Sequence, residues 1–173
     1  MTSSLHIFDL DGTLTEKWAA TLLPGVSERV RQLEGWIAVV TNQAGVAWNA
    51  IEGKPYPSPT QLGRRLVTVA EALPGLRAAL WLVAIADERI SLPLRRWRAL
   101  AAGVTRSASP LRVRTSSNPA WRKPRPGMLL EASRAFQVAS EEVVFIGDHH
   151  SDAEAAEAAG VRFVYADQFF DRV

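Results

Sequence analysis

The chain has 173 residues, 47% of them hydrophobic and 22% charged, enough for one globular domain with a sizeable core. A formal net charge of +2 demands no broad nucleic-acid surface, and the absence of cysteine excludes disulfides and thiolate zinc sites. No apolar run approaches the ~20 residues of a membrane helix and no leader pattern opens the chain, so a cytoplasmic protein outside the membrane is the expectation.

In chain order, His6-Ile7-Phe8 begins as a buried strand and runs into Asp9-Leu10-Asp11-Gly12-Thr13. Thr15 to Leu23 reads as a loop carrying Trp18. Pro24-Gly25 starts a helix with Val26, Val30 and Leu33 at spacings of three and four, and Gly35 ends it. Trp36 to Val40 is a second buried strand, closing on Thr41-Asn42-Gln43-Ala44-Gly45. Residues 46–59, with Gly53, Pro55, Pro57 and Pro59, read as a loop. A helix is predicted from Thr60 to Leu73, with Leu62, Leu66, Val69 and Leu73 on one face, and Pro74-Gly75 breaks it. Leu80 to Ala86 is a third buried strand, ending at Asp87-Glu88.

Residues 90–117 are the least legible, and we read them as a basic insertion. Pro93 to Ala102 suits a short basic helix, while Leu111 to Thr115 alternates like an exposed strand. The pattern recovers at Trp121. Arg122-Lys123-Pro124-Arg125-Pro126-Gly127 leads into a helix from Met128 to Phe136. Val143 to Ile146 is a fourth buried strand, ending at Gly147-Asp148-His149-His150-Ser151-Asp152. Ala153 to Ala159 is a helix of small residues stopped by Gly160, and Val161 to Tyr165 is a fifth strand. Strands alternating with helices predict an α/β fold, a Rossmann-like doubly wound and mostly parallel sheet, as a single domain over residues 1–173.

Three polar clusters close such strands: Asp9 with Asp11, Thr41-Asn42-Gln43, and Asp148 with Asp152. In an open parallel sheet ligands bind beyond the carboxyl ends of the strands, so these clusters meet on one edge, and the Lys123 cluster can approach it. Two acids spaced i and i+2 converge on one site, an arrangement that is costly unless a cation or a proton relieves it. An Asp-Gly turn, a strand-end hydroxyl at Thr41, a turn cap at Asn42 and Gln43 and a surface lysine at 123 are the plain alternatives.

Asp9-Leu10-Asp11-Gly12-Thr13, Val40 to Gly45, Arg122 to Met128 and Ile146 to Asp152 resemble, in order, the four motifs of the haloacid dehalogenase (HAD) superfamily. The TNQxG and RKPxPGM forms resemble the branch that holds histidinol-phosphate phosphatase, heptose-bisphosphate phosphatase and the polynucleotide kinase 3′-phosphatase. The resemblance implies a Mg²⁺-dependent phosphomonoester hydrolase with a minimal or absent cap, working through an aspartyl-phosphate. It implies Asp9 as nucleophile and Asp11 as general acid/base, with Thr41 and Lys123 completing the catalytic set. Asn42, Gln43 and Arg122 would contact substrate. Asp9, the backbone carbonyl of Asp11 and Asp148 would hold the Mg²⁺, and Asp152 would support them from behind.

The chain departs from that branch in having no Cys/His zinc loop before Arg122, and in His149-His150 after Asp148, which we expect to cap a helix or face solvent. The expected substrate is a small phosphorylated metabolite, a sugar or amino-alcohol phosphate. The 3′-phosphate end of DNA or RNA is the alternative, suggested by Arg95, Arg96, Arg98, Arg112 and Arg114 among tryptophans. Trp81 is expected in the core. A catalytically idle binding module is the remaining reading, and the oligomeric state is not legible.

Overall fold

The computed structural model describes residues 4–53 and 55–172. β1 (Leu5–Asp9), α1 (Val26–Arg31), β2 (Trp36–Asn42), α2 (Gly45–Glu52), α3 (Pro59–Glu71) and α4 (Pro74–Arg77) form the first half. β3 (Leu80–Ala84), α5 (Leu94–Ser107), β4 (Arg112–Ser116) and α6 (Gly127–Phe136) follow, then β5 (Val143–Gly147), α7 (His150–Ala159), β6 (Arg162–Tyr165) and α8 (Ala166–Phe169). The six strands make one sheet in the order β4-β3-β2-β1-β5-β6, every neighbouring pair parallel. The predicted doubly wound α/β sheet is therefore present, and wholly parallel. It is the single sheet among the described residues.

The continuous apolar runs of β1, β2, β3 and β5 follow from burial on both faces, the signature of a parallel sheet under two helical layers. Alternate residues feed alternate cores. Phe8, Val39 and Trp81 join Leu62 and Leu66 of α3 and Val104 of α5. Leu5, Ile7, Val40, Leu82 and Phe145 join Met128 and Leu129 of α6 and Ala155 of α7. Trp81 is wholly buried, with its indole N–H donating to the Leu76 carbonyl at 3.0 Å.

Two expectations need correction. Residues 46–59 are not all loop. Val46 and Ala47 are buried on α2, and the chain leaves the helix only at Gly53, whose φ of 79° suits glycine. The prolines beyond it masked a short helix before them. Residues 90–117 carry both elements expected within them, with the helix longer than predicted. They form α5, which runs to Ser107 rather than Ala102, and β4, the parallel edge strand with Val113 turned inward. The alternation over Leu111 to Thr115 is that of an exposed edge strand, and it pairs as the sixth strand of the sheet.

Candidate active site

β1 lies between β2 and β5, so chain connections leave it toward both halves of the sheet and a crevice opens at its carboxyl end. The two-residue period of the strands then sorts the site into two sides.

Asp9 shares the face of Leu5 and Ile7, the face covered by α6 and α7. Lys123, buried, reaches it from the turn before α6, with Nζ 2.5 Å from Asp9 Oδ1 and 2.6 Å from Asp152 Oδ1. Asn42, on the same face as Val40, clamps the Lys123 backbone: its Nδ2 donates to the Lys123 carbonyl at 3.0 Å and its Oδ1 accepts from Lys123 N at 3.1 Å. Asp152 comes from the first turn of α7. There its Oδ2 accepts from His149 N at 3.1 Å while the His149 ring accepts from Ser151 N, a reciprocal cap. His149 thus caps the helix, and exposed His150 lies 3.3 Å from Glu154. The Asp152 Oδ1 contact with Lys123 is an ion pair without an aligned donor, which leaves that buried oxygen without a hydrogen bond.

Asp9, Asp148 and Asp152 each present a carboxylate oxygen within 4.8 Å of the others. The set is all oxygen and anionic, contains one buried oxygen lacking a hydrogen bond, and fits a hard divalent cation. Glycines let the acids come this close. A Cβ at Gly12, where φ is 84°, would sit 2.1 Å from Asp148 Oδ2, and one at Gly147 would sit 2.5 Å from Asp152 Oδ2. Burial, opposed by the Lys123 charge and reinforced by Asp152, pushes the Asp9 carboxyl up to about 7. Burial and the Asp152 charge also raise Asp148. For Lys123 burial acts downward, but the Asp9 and Asp152 carboxylates outweigh it and hold the ammonium above the ordinary lysine value.

The second side belongs to α3. Thr41 shares the face of Val39, is buried, and accepts from Gln43 Nε2 at 2.8 Å. The same Gln43 nitrogen lies 2.7 Å from Asp11 Oδ2. Sequence reasoning missed the next partner. Arg65 of α3 donates to Asp11 Oδ1 at 2.6 Å, to Thr15 Oγ1 at 3.0 Å and to the Ala19 carbonyl at 2.7 Å. One arginine thus ties the helix to three points of the loop that follows β1. The available signal was its place between Leu62 and Leu66, on the flank of the apolar stripe rather than on the solvent side.

Arg122 donates to the Ala86 carbonyl at 3.3 Å and lies 4.0 Å from Asp87. The structure therefore brings Asp9, Asp11, Thr41, Asn42, Gln43, Lys123, Asp148 and Asp152 to one edge, with Arg122 at its rim beside β3. Among the arginines of residues 90–117, Arg114 pairs with Glu131, Arg112 lies over the Phe136 ring and Arg96 donates to the Ala50 carbonyl.

A family model described as HAD-hydrolase-like matches residues 120–167, the stretch that carries Lys123, Asp148 and Asp152. Among solved structures, the chain is similar to a Mesorhizobium loti protein named as a HAD-like phosphatase, at 20% identity and a TM-score of 0.56, over 92% of this chain and 70% of that one. It is also similar to the D,D-heptose 1.7-bisphosphate phosphatase of B. bronchiseptica, complexed with magnesium and phosphate. There the identity is 20% and the TM-score 0.51, over 92% of this chain and 78% of that one. No curated protein matches the chain. Identities this low show a shared fold, and the stretch 120–167 is what resembles the HAD-hydrolase-like family model.

Proposed function

We propose that the protein is a Mg²⁺-dependent phosphomonoesterase that works through Asp9 on a small phosphorylated substrate. The observation that carries this reading is the buried Lys123 ammonium set between Asp9 and Asp152, in the same cluster as Asp148. That cluster has acids to hold a divalent cation, a nucleophilic carboxylate, and a fixed positive charge for the phosphoryl oxygens.

Asp9 attacks phosphorus. The new Asp9 O–P bond forms as the P–O bond to the leaving group breaks, and Asp11 supplies the proton to the departing oxygen. Water then attacks the acyl phosphate, with Asp11 taking its proton, and phosphate and the Asp9 carboxylate are regenerated. The Thr41 hydroxyl and Lys123 bind the equatorial oxygens, where charge persists through the transition state. Asn42 fixes the turn that presents Lys123, Gln43 aligns Asp11 with Thr41, and Arg122 at the rim meets the substrate beyond the phosphoryl group. A Mg²⁺ bound by Asp9, Asp148 and the Asp11 carbonyl would offset the repulsion between anionic nucleophile and anionic substrate.

Of the arginines behind the polynucleotide 3′-end reading, Arg96, Arg112 and Arg114 meet partners within the fold, so the small-substrate reading is the one we favour. The idle-module reading needs a damaged acid set, and the set is intact. Hydrolysis of p-nitrophenyl phosphate with Mg²⁺ tests the proposal: the wild type turns over, and Asp9→Asn loses activity by about 10³-fold or more with its melting profile cooperative. Activity retained in Asp9→Asn overturns it.

A further inference from the structure

The phosphoryl chemistry leaves unused a set of aromatic rings around the mouth of the site. Trp18 is anchored beside Asp11, with its backbone N–H donating to Asp11 Oδ1 at 2.8 Å, yet its side chain is half exposed. Its φ of 67° lies in the left-handed region, costly for a bulky residue and found where surrounding structure enforces it. The Tyr56 ring stands 6.3 Å from Trp18 and 6.4 Å from Trp48, tilted 34° to each. Behind them the Arg89 guanidinium lies 5.2 Å over the Trp48 ring, and Asp87 accepts from Arg89 at 2.7 Å and from the Trp48 indole at 3.4 Å. The contacts run in an arc from the acid/base toward the β3 side of the crevice.

A leaving group departs toward the residue that protonates it, so a group leaving toward Asp11 meets Trp18 first. Beside Trp18 stand the Tyr56 and Trp48 rings, with the Asp87–Arg89 ion pair behind them. A polyol is held by directional hydrogen bonds, whereas a planar ring is held by faces. We infer that Trp18, backed by Tyr56 and Trp48, forms a leaving-group subsite for phosphomonoesters whose leaving group carries a planar aromatic ring, a nucleoside monophosphate being the natural form of that chemistry. This inference rests on the phosphomonoesterase reading and narrows its substrate from sugar or amino-alcohol phosphates to ring-bearing ones.

Benzyl phosphate and cyclohexylmethyl phosphate test it, because their leaving alcohols are alike in shape and acidity and differ in aromaticity. The wild type is expected to favour the benzyl ester by about tenfold in kcat/KM, the scale of one ring–ring contact. Trp18→Leu brings that ratio close to one, and Trp18→Phe restores most of it. A wild-type ratio near one, or a ratio unchanged in Trp18→Leu, overturns the subsite. Binding of benzylphosphonate against cyclohexylmethylphosphonate, followed by calorimetry, separates the two claims. Ring preference in binding with no turnover of any phosphomonoester overturns the phosphatase reading and upholds the subsite. Turnover without ring preference does the reverse.

Discussion

Asp11 accepts hydrogen bonds from Trp18 N, from Gln43 Nε2 and from both terminal nitrogens of Arg65, so its orientation is set by three separate parts of the chain. If Asp11 protonates the leaving oxygen, losing Arg65 harms poor leaving groups most. Arg65→Met is expected to lower kcat on alkyl phosphates by about tenfold or more, within the 10²–10⁴-fold that a positioned acid contributes. Loss on p-nitrophenyl phosphate, which needs little protonation, is expected to be smaller, and Arg65→Lys to recover part of the alkyl activity. Equal losses on both substrates would make Arg65 a structural tie only. Asp9 carries a second expectation. Because burial lifts its folded-state value to about 7, the folded chain holds this proton longer than the unfolded chain does. Stability of the cation-free protein therefore falls as pH rises from about 4 through 7, and the raised Asp148 adds to the same slope. Thermal melts across that range check it: Asp9→Asn or saturating Mg²⁺ should flatten the slope, and a slope of opposite sign would contradict the assignment.

At the scale of elements, the turn after β1 shows how backbone freedom makes room for charge. Gly12 combines a φ of 84° with an Asp148 oxygen where its Cβ would lie. Gly12→Ala should displace Asp148 and weaken Mg²⁺ binding by about tenfold or more without altering any charge, as outer-sphere changes do, and titration calorimetry reads this directly. β3 carries the packing counterpart. Trp81→Ala empties a wholly buried indole site and orphans the Leu76 carbonyl, a loss of ~3–5 kcal/mol in denaturant unfolding. The buried strands were legible because burial on both faces writes a continuous apolar run. β4 was legible as an exposed alternating strand with only Val113 inside, whereas α2 was not, because it has few turns and sits before three prolines. The motif residues Asp9, Thr41, Lys123 and Asp148 could be named from strand ends and resemblance. Arg65 could not, since its partner lies 54 positions away and helix spacing alone marks it as a flank.

Across the whole molecule, the parallel sheet works as a sorting device. Odd positions of β1 and even positions of β2 face α6 and α7, where Asp9, Asn42, Lys123 and Asp152 collect. The opposite face sends Thr41 and Gln43 toward α3, where Arg65 holds Asp11. Asp11 and Asp9 are thus held by different helical layers, with the acid cluster opening at the strand reversal between β2 and β5. Three acids pressed together there predict a ligand-dependent stability. Chelation should lower the melting temperature, and Mg²⁺ at a hundredfold excess over its dissociation constant should return about 2.7 kcal/mol. The central claim, attack by Asp9 on phosphorus, is tested most directly by acid-quenching the Mg²⁺-loaded enzyme during turnover and locating the phosphoryl group by peptide mass analysis. The account predicts one phosphoryl group on the peptide containing Asp9, absent from Asp9→Asn. Turnover with no phosphoryl group on the chain, or with it on another residue, would contradict it.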